Sequence, residues 1–205
     1  MLSMNVVTGA LELGFIYALV AMALFLSFRV LNIADMTTDG SFTLGCAVSA
    51  VLAVAGHPIL GIPLAMLAGA AAGFITALLQ TRLGVPSILA GIITNTGLYT
   101  VNLAVMGFSA NVNMLKTDTI FSMFRNLLGG AAAYKLILAA AIAAVVCVLL
   151  ILFLRTRLGL SIRATGDNPD MVRASSINTR VTVTIGLCAA NAVTALSGAI
   201  LAQYQ

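Results

Sequence analysis

The chain of 205 residues is 61% hydrophobic and only 8% charged, with a formal net charge of +4. A soluble protein of this length has too much surface to leave so few charges on it, so the composition excludes an ordinary soluble domain. Lipid must be the main solvent, and we expect one all-α, membrane-spanning domain over residues 1–205. The positive charge does not require nucleic acid, because membrane proteins concentrate basic residues in their cytoplasmic loops.

Long apolar stretches predict about six membrane-spanning helices. A helix crosses the hydrocarbon layer with about 20 residues. The predicted spans are 10–31, 42–56, 58–80, 87–108, 135–154 and 182–202. The first residues lack the basic stretch and cleavage site of a signal peptide, so we expect the first span to stay in the mature protein.

Basic residues predict which end of this bundle faces the cytoplasm. With the N-terminus outside, the inner side carries Arg29, Arg82, Arg155, Arg157, Arg163, Arg173 and Arg180. The outer side then carries only Lys116, Arg125 and Lys135. Because cytoplasmic loops hold the excess of basic residues, we expect an outside N-terminus and a cytoplasmic loop 155–181.

The first predicted connection, residues 32–45, is either an ordinary inner loop or a broken, re-entrant helix. The second span of about 15 residues reaches only about 22 Å as a helix, which favours a break. Thr38 and Asp39 would then line a path through the bundle. A buried carboxylate costs about 2.5–3.5 kcal/mol, so Asp35 or Asp39 would need a partner such as Arg29.

Three polar residues of the fourth span share one helical face. Asn95, Tyr99 and Asn102 are spaced i, i+4, i+7. Polar side chains at membrane depth face other helices or a watery cavity. Each of these side chains alone could form a hydrogen bond to a neighbouring helix, worth about 0.6–2 kcal/mol. For the three together, the favoured interpretation is the lining of a path for a zwitterionic solute.

A polar run within the predicted cytoplasmic loop, ATGDNPDMVRASSIN at 164–178, predicts a short helix near 168–178. Asn168 can cap a helix that begins at Pro169, because proline lacks the amide hydrogen that a helix start leaves unpaired. Asp167 and Asp170 add negative charge at the positive end of its dipole. One side would carry Met171, Ala174 and Ile177. On physical grounds the helix could equally dock a partner or belong to a solvated loop.

This loop resembles that of a transporter family. GLSIRATGDNP at 159–169 is similar to the cytoplasmic loop of ABC-importer permeases of the branched-chain amino acid and ribose type. FRVLNIAD at 28–35 and GSFTLG at 40–45 also resemble that family, while PSILAGI at 86–92 is closest to a subgroup assigned to tryptophan and tyrosine import. The family has further spans after the sixth, so we expect a fragment or a shortened relative.

The resemblance implies a permease subunit of the bacterial inner membrane, which transports a small solute, expected to be an amino acid. Its coupling helix would contact a separate cytoplasmic ABC ATPase through Arg163, Gly166, Asp167, Asn168, Pro169, Asp170, Arg173, Ala174 and Ile177. The other implied partners are a second permease copy, identical or paralogous, and an extracytoplasmic solute-binding protein. The polar outer segment 109–134 either receives that protein or is a plain connecting loop.

We expect no enzymatic activity, metal site or cofactor on this chain. The two lysines, Lys116 and Lys135, follow leucine and tyrosine, so the sequence lacks the Gly-Lys-Ser/Thr motif that holds nucleotide phosphates. We therefore expect ATP with its Mg²⁺ to bind the partner ATPase. His57 is the only histidine and is interpreted as a loop residue. The alternative function is an ion-coupled secondary transporter that uses carboxylates at Glu12, Asp35 or Asp39.

Overall fold

The computed structural model describes residues 4–109, 111–114, 117–127 and 134–205. Lys116, one of the predicted outer basic residues, lies outside these described residues. All regular structure in the described ranges is helical, which confirms the predicted all-α class. In chain order the elements are α1 Met4–Leu24, a π-helical segment Phe25–Val30, α2 Thr38–Val54, α3 Pro58–Thr81, α4 Ser87–Val105, α5 Ile120–Leu127, α6 Tyr134–Arg155, α7 Arg157–Asp167, α8 Pro169–Ala174 and α9 Thr179–Tyr204.

Most of the predicted spans correspond to helices that can cross a membrane. Among the described residues, five stretches are long and apolar enough: Val6–Val30, Pro58–Thr81, Ser87–Val105, Tyr134–Arg155 and Thr179–Tyr204. The remaining predicted span, 42–56, is represented by α2, an apolar helix of only 17 residues. The chain is therefore a polytopic helical bundle with one short member.

Helix α9 is the centre of the bundle and packs against α1, α2 and α3. Helix α3 contains the sequence GAAAG at 69–73. Its two glycines, Gly69 and Gly73, lie directly against the backbone of α9 near Asn191 and Leu187. A Cβ at either glycine would collide with a backbone carbonyl oxygen of α9. Small residues spaced in this way let two membrane helices approach closely, and here they bring α3 to the central helix.

The inner arginines predicted from sequence lie together in the structure. Arg29 lies in the last turn of the π-helical segment, Arg82 is the C-cap of α3, and Arg155 is the last residue of α6. Arg163 lies in α7 and Arg180 in the first turn of α9. A cavity lined by the ends of α3, α7 and α9 shows that these termini share one end of the bundle, which we call the arginine-rich end.

The break predicted near 32–45 is confined to residues 31–37, because α2 already begins at Thr38. Asn32 has a left-handed backbone with φ of 57°. The carboxylate of Asp35 bonds the side chain of Asn191, which lies about 18 Å along α9 from its start at Thr179. Non-helical backbone at membrane depth is tolerated where protein covers it, and Leu31, Asp35 and Thr37 of this segment are buried.

Candidate functional site: two polar regions along α2

A network of buried polar side chains joins the break to α2 and α9. Asp35 is 3% exposed, and its Oδ2 accepts a hydrogen bond from Asn191 Nδ2 at 2.7 Å. Its Oδ1 accepts from the backbone N–H of Thr37 at 2.9 Å. Asn191 Oδ1 in turn accepts from the hydroxyl of Ser41 at 2.6 Å. We call Asp35, Ser41 and Asn191 the core network.

Arg29 is not the partner of Asp35, so that expectation is wrong. Arg29 is exposed, and the hydrogen-bond donors to the Asp35 carboxylate are amide groups. Hydrogen bonds to an ionised acceptor are about twice as strong as neutral ones, which offsets part of the cost of burying the charge. The core network therefore anchors the non-helical segment to the middle of α9 without an ion pair.

A second polar region lies on another face of α2. A groove of about 190 Å³ separates α2 from α4. Its lining residues are Asp39, Gly40, Thr43, Asn95, Tyr99, Asn102, Leu103 and Met106. We call it the α2–α4 groove.

The groove unites most of the residues predicted to line a path. Asn95, Tyr99 and Asn102 lie along it with Asp39, as the shared helical face of α4 suggests. Thr38 does not line it, and its hydroxyl donates to the backbone carbonyl of Asp35 at 3.2 Å. Gly40, which sequence reasoning missed, permits this approach, because a Cβ there would collide with Asn95 and Leu98.

Two acceptors on residues of the groove have no partner within the described ranges. Asn102 is only 6% exposed, and its Nδ2 donates a long hydrogen bond of 3.4 Å to the Gly40 carbonyl. Its Oδ1 is buried and has no partner among the described residues. Within the same part of the chain, the Asp39 carboxylate forms no ion pair, since the salt bridge found there joins Arg173 and Asp170. A buried acceptor left unpaired costs about 1–3 kcal/mol and requires an explanation.

The α2–α4 groove adjoins a larger cavity at the end of the bundle opposite to the arginine-rich end. This outer cavity has a volume of about 850 Å³, and Thr43 and Met106 line both spaces. Its wall includes the side chains of Arg125, Lys135 and Gln203. A polar solute in the outer cavity would therefore lie next to the groove.

Helix α8 forms at the predicted place and with the predicted cap. Asn168 Oδ1 accepts from the backbone N–H groups of Asp170 at 3.2 Å and Met171 at 3.1 Å. The helix ends at Ala174, short of the predicted limit near 178, and Ser176 has a left-handed φ of 60°. Ile177 therefore does not share a helical face with Met171 and Ala174, contrary to the expectation.

Most of the residues implied as ATPase contacts are exposed around α8. The exposed members are Arg163, Asp167, Asn168, Pro169, Asp170, Arg173 and Ala174. Gly166 and Ile177 are half-buried, and a Cβ at Gly166 would collide with the carbonyl oxygen of Val30. Arg173 bonds Asp170 at 3.3 Å, while Met171 leaves 69% of its surface exposed. The arrangement presents a short projecting helix with an apolar tip.

Comparison with known proteins shows one matching family and two similar relatives. The family model described as branched-chain amino acid transport system, permease component, matches residues 6–205. The "Tyrosine transport system permease protein" of Clostridioides difficile (strain R20291) is 30% identical over 98% of this chain, which covers 65% of that protein. An uncharacterised protein of Rickettsia prowazekii (strain Madrid E) is 32% identical over 98% of this chain, which covers 69% of it. No solved structure matches the chain significantly.

Proposed function

Because this chain belongs to the family of branched-chain amino acid transport system permease components, we propose that it is the membrane-spanning subunit of an ABC importer for an amino acid. A permease is a transport subunit rather than a catalyst. ATP with its Mg²⁺ is bound and hydrolysed by a separate cytoplasmic subunit. The name of the relative from Clostridioides difficile supports an aromatic amino acid, with tyrosine as the first solute to test.

The observation that carries the transport path is that Asn102, whose Oδ1 has no partner among the described residues, lines the same groove as Asp39, whose carboxylate forms no ion pair with them. Both are hydrogen-bond acceptors, and the ammonium group of an amino acid supplies three donors. Asn95 and Tyr99 add an amide and a hydroxyl along the same groove. The solute enters from the outer cavity, delivered by an extracytoplasmic binding protein, and passes along the α2–α4 groove.

The ATPase acts on the arginine-rich end. We place this end in the cytoplasm of a bacterial cell, with the N-terminus outside. The projecting α8 then docks on the ATPase, and Gly166 transmits its movement to Val30 through their close contact. Val30 immediately precedes the break that leads to Asp35 and the groove. A second permease, identical or paralogous, completes the membrane part of the importer.

Ion-coupled transport is the alternative, and the surroundings of two carboxylates disfavour it. Glu12 Oε2 accepts a hydrogen bond from the Tyr204 hydroxyl at 2.7 Å. Both oxygens of Asp35 accept bonds from protein donors. Of the three carboxylates considered, Asp39 alone keeps its oxygens without a partner in the described residues, so the alternative rests on Asp39.

Uptake in proteoliposomes separates the two functions. The assembled importer is reconstituted, labelled tyrosine is supplied with the binding protein, and ATP is enclosed on the side of the ATPase. We expect uptake only when ATP and the binding protein are both present. Uptake driven by a proton or sodium gradient without ATP would overturn the importer.

The coupling role of α8 is tested by a charge reversal. Arg173→Glu places a like charge next to Asp170 and changes the exposed surface of α8. Co-purification of the ATPase should be lost, whereas Arg82→Glu, an equal reversal at an exposed position of the same end, should preserve it. Equal co-purification of both variants with the ATPase would remove the assignment.

A further inference from the structure

The arginine-rich end contains another cavity, of about 570 Å³, that the transport path does not use. It lies between the start of the break, the end of α3, the junction of α7 and α8, and the start of α9. Its lining residues are Leu31, Asn32, Ile33, Gln80, Thr81, Thr165, Gly166, Pro169, Arg173, Thr179, Arg180 and Val183. We call it the inner cavity.

The charged side chains that line the inner cavity are positive. They are Arg173 and Arg180, and none of the acidic residues in the described ranges lines it. Arg180 forms no ion pair with the described part of the chain, and the side chain of Arg173 contacts Asp170 outside the cavity. An anion in this cavity would meet two guanidinium groups, which are suited to bidentate contact with phosphate or carboxylate oxygens.

Neutral hydrogen-bond donors reinforce this preference. Gln80 Nε2 is buried and finds no acceptor among the described residues, although Gln80 lines the cavity. The Thr179 hydroxyl accepts a bond from Arg173 Nε at 3.3 Å and keeps its own hydrogen for a ligand. A buried amide donor without an acceptor is costly, and a rotation of the Gln80 side chain towards the cavity would offer this donor to an oxyanion.

The depth of the cavity indicates where the oxyanion comes from. Gln80 and Thr81 are the last residues of the α3 span, and Thr179 and Arg180 are the first residues of the α9 span. The cavity therefore lies at the end of two membrane-spanning helices. This is the level of the lipid headgroups, and basic pockets between helices at this level hold anionic headgroups. We propose that the inner cavity binds the phosphate of an anionic phospholipid such as phosphatidylglycerol.

A bound phosphate would bridge several separate helices of the molecule. Arg173 belongs to α8, Gln80 to α3 and Arg180 to α9, and Asn32 lies at the start of the break. The lipid would thus hold α8 against the core of the bundle. This inference requires only that the helices span a membrane, so it stands apart from the importer assignment.

Lipid titration of the purified full chain in detergent tests the proposal. Native mass spectrometry counts bound phosphatidylglycerol, with phosphatidylcholine and inorganic phosphate as comparison ligands. We expect tight binding of phosphatidylglycerol, and Arg180→Gln should weaken it about tenfold or more, because a charge-assisted hydrogen bond is lost. Gln80→Leu removes the unpaired donor without removing charge and should weaken it several-fold.

The matched control is Arg82→Gln, which removes an arginine from the same end at an exposed position outside the cavity lining. It should bind phosphatidylglycerol like the unmodified chain. Equal weakening by Arg82→Gln and Arg180→Gln would overturn the site in favour of general surface attraction. Saturation by inorganic phosphate, with no further binding of phosphatidylglycerol, would overturn the lipid as the ligand.

Discussion

Asp35 and Asp39 are four residues apart and lie in opposite surroundings. Asp35 belongs to the core network, in which both carboxylate oxygens, the Asn191 amide and the Ser41 hydroxyl have partners. Asp39 faces the α2–α4 groove, in which its carboxylate and the Oδ1 of Asn102 have none among the described residues. Two aspartates four residues apart are thus used in two different ways.

This difference separates stability from function. A buried polar group that is fully paired stabilises one arrangement of the helices, whereas an unpaired one destabilises the empty protein. Proteins retain such unfavourable groups mainly where a ligand will satisfy them. Substitutions in the core network should therefore mainly lower the free energy of unfolding, and those in the groove should mainly lower transport.

The largest loss of stability is expected from Asn191→Leu. Leucine removes one of the two donors to the buried Asp35 carboxylate and the acceptor of the Ser41 hydroxyl, so that only the Thr37 N–H still bonds that carboxylate. We expect a loss of about 3 kcal/mol in the free energy of unfolding, measured by thermal or denaturant unfolding in detergent. The matched control is Asn102→Leu on α4, which should lose less than about 1 kcal/mol because its bond to Gly40 is long. Equal losses would contradict the comparison.

The two aspartates give a second, smaller contrast. Asp35→Asn replaces one of the two acceptor oxygens of the carboxylate by an NH₂ group, so one of the two N–H donors loses its acceptor. We expect a loss of about 2 kcal/mol in the free energy of unfolding. Asp39→Asn changes an exposed side chain without a partner and should stay within about 0.5 kcal/mol.

Asp39→Asn, which should hardly change stability, should have a large effect on transport. The tyrosine concentration for half-maximal uptake should rise about tenfold, because the ammonium group loses a charged acceptor. Unfolding and uptake measured on the same preparations would sharpen the contrast. A large loss of stability in Asp39→Asn with normal uptake would reverse the assigned roles.

The sequence predicts local features of this molecule well. Apolar length identified the helices, Asn168 and Pro169 identified the start of α8, and helical spacing placed Asn95, Tyr99 and Asn102 on one face. Each of these follows from residues within a few turns of each other.

Contacts between distant residues could not be predicted in this way. The partner of Asp35 is Asn191, 156 residues away, whereas sequence proximity suggested Arg29. A signal was present, since Asn191, Thr194 and Ser197 repeat at i, i+3, i+6 within an apolar span, and each is at most 1% exposed. The early end of α8 had no such signal, because Ser176 adopts a left-handed backbone usually occupied by glycine.

The most direct test of the account is ATP-dependent tyrosine uptake by the importer carrying Asn102→Leu, with its unfolding measured in parallel. If the unpaired Oδ1 of Asn102 serves the solute, uptake at low tyrosine concentration should fall at least about tenfold while the free energy of unfolding changes by less than about 1 kcal/mol. Uptake equal to that of the unmodified importer would contradict the assignment of the α2–α4 groove as the transport path.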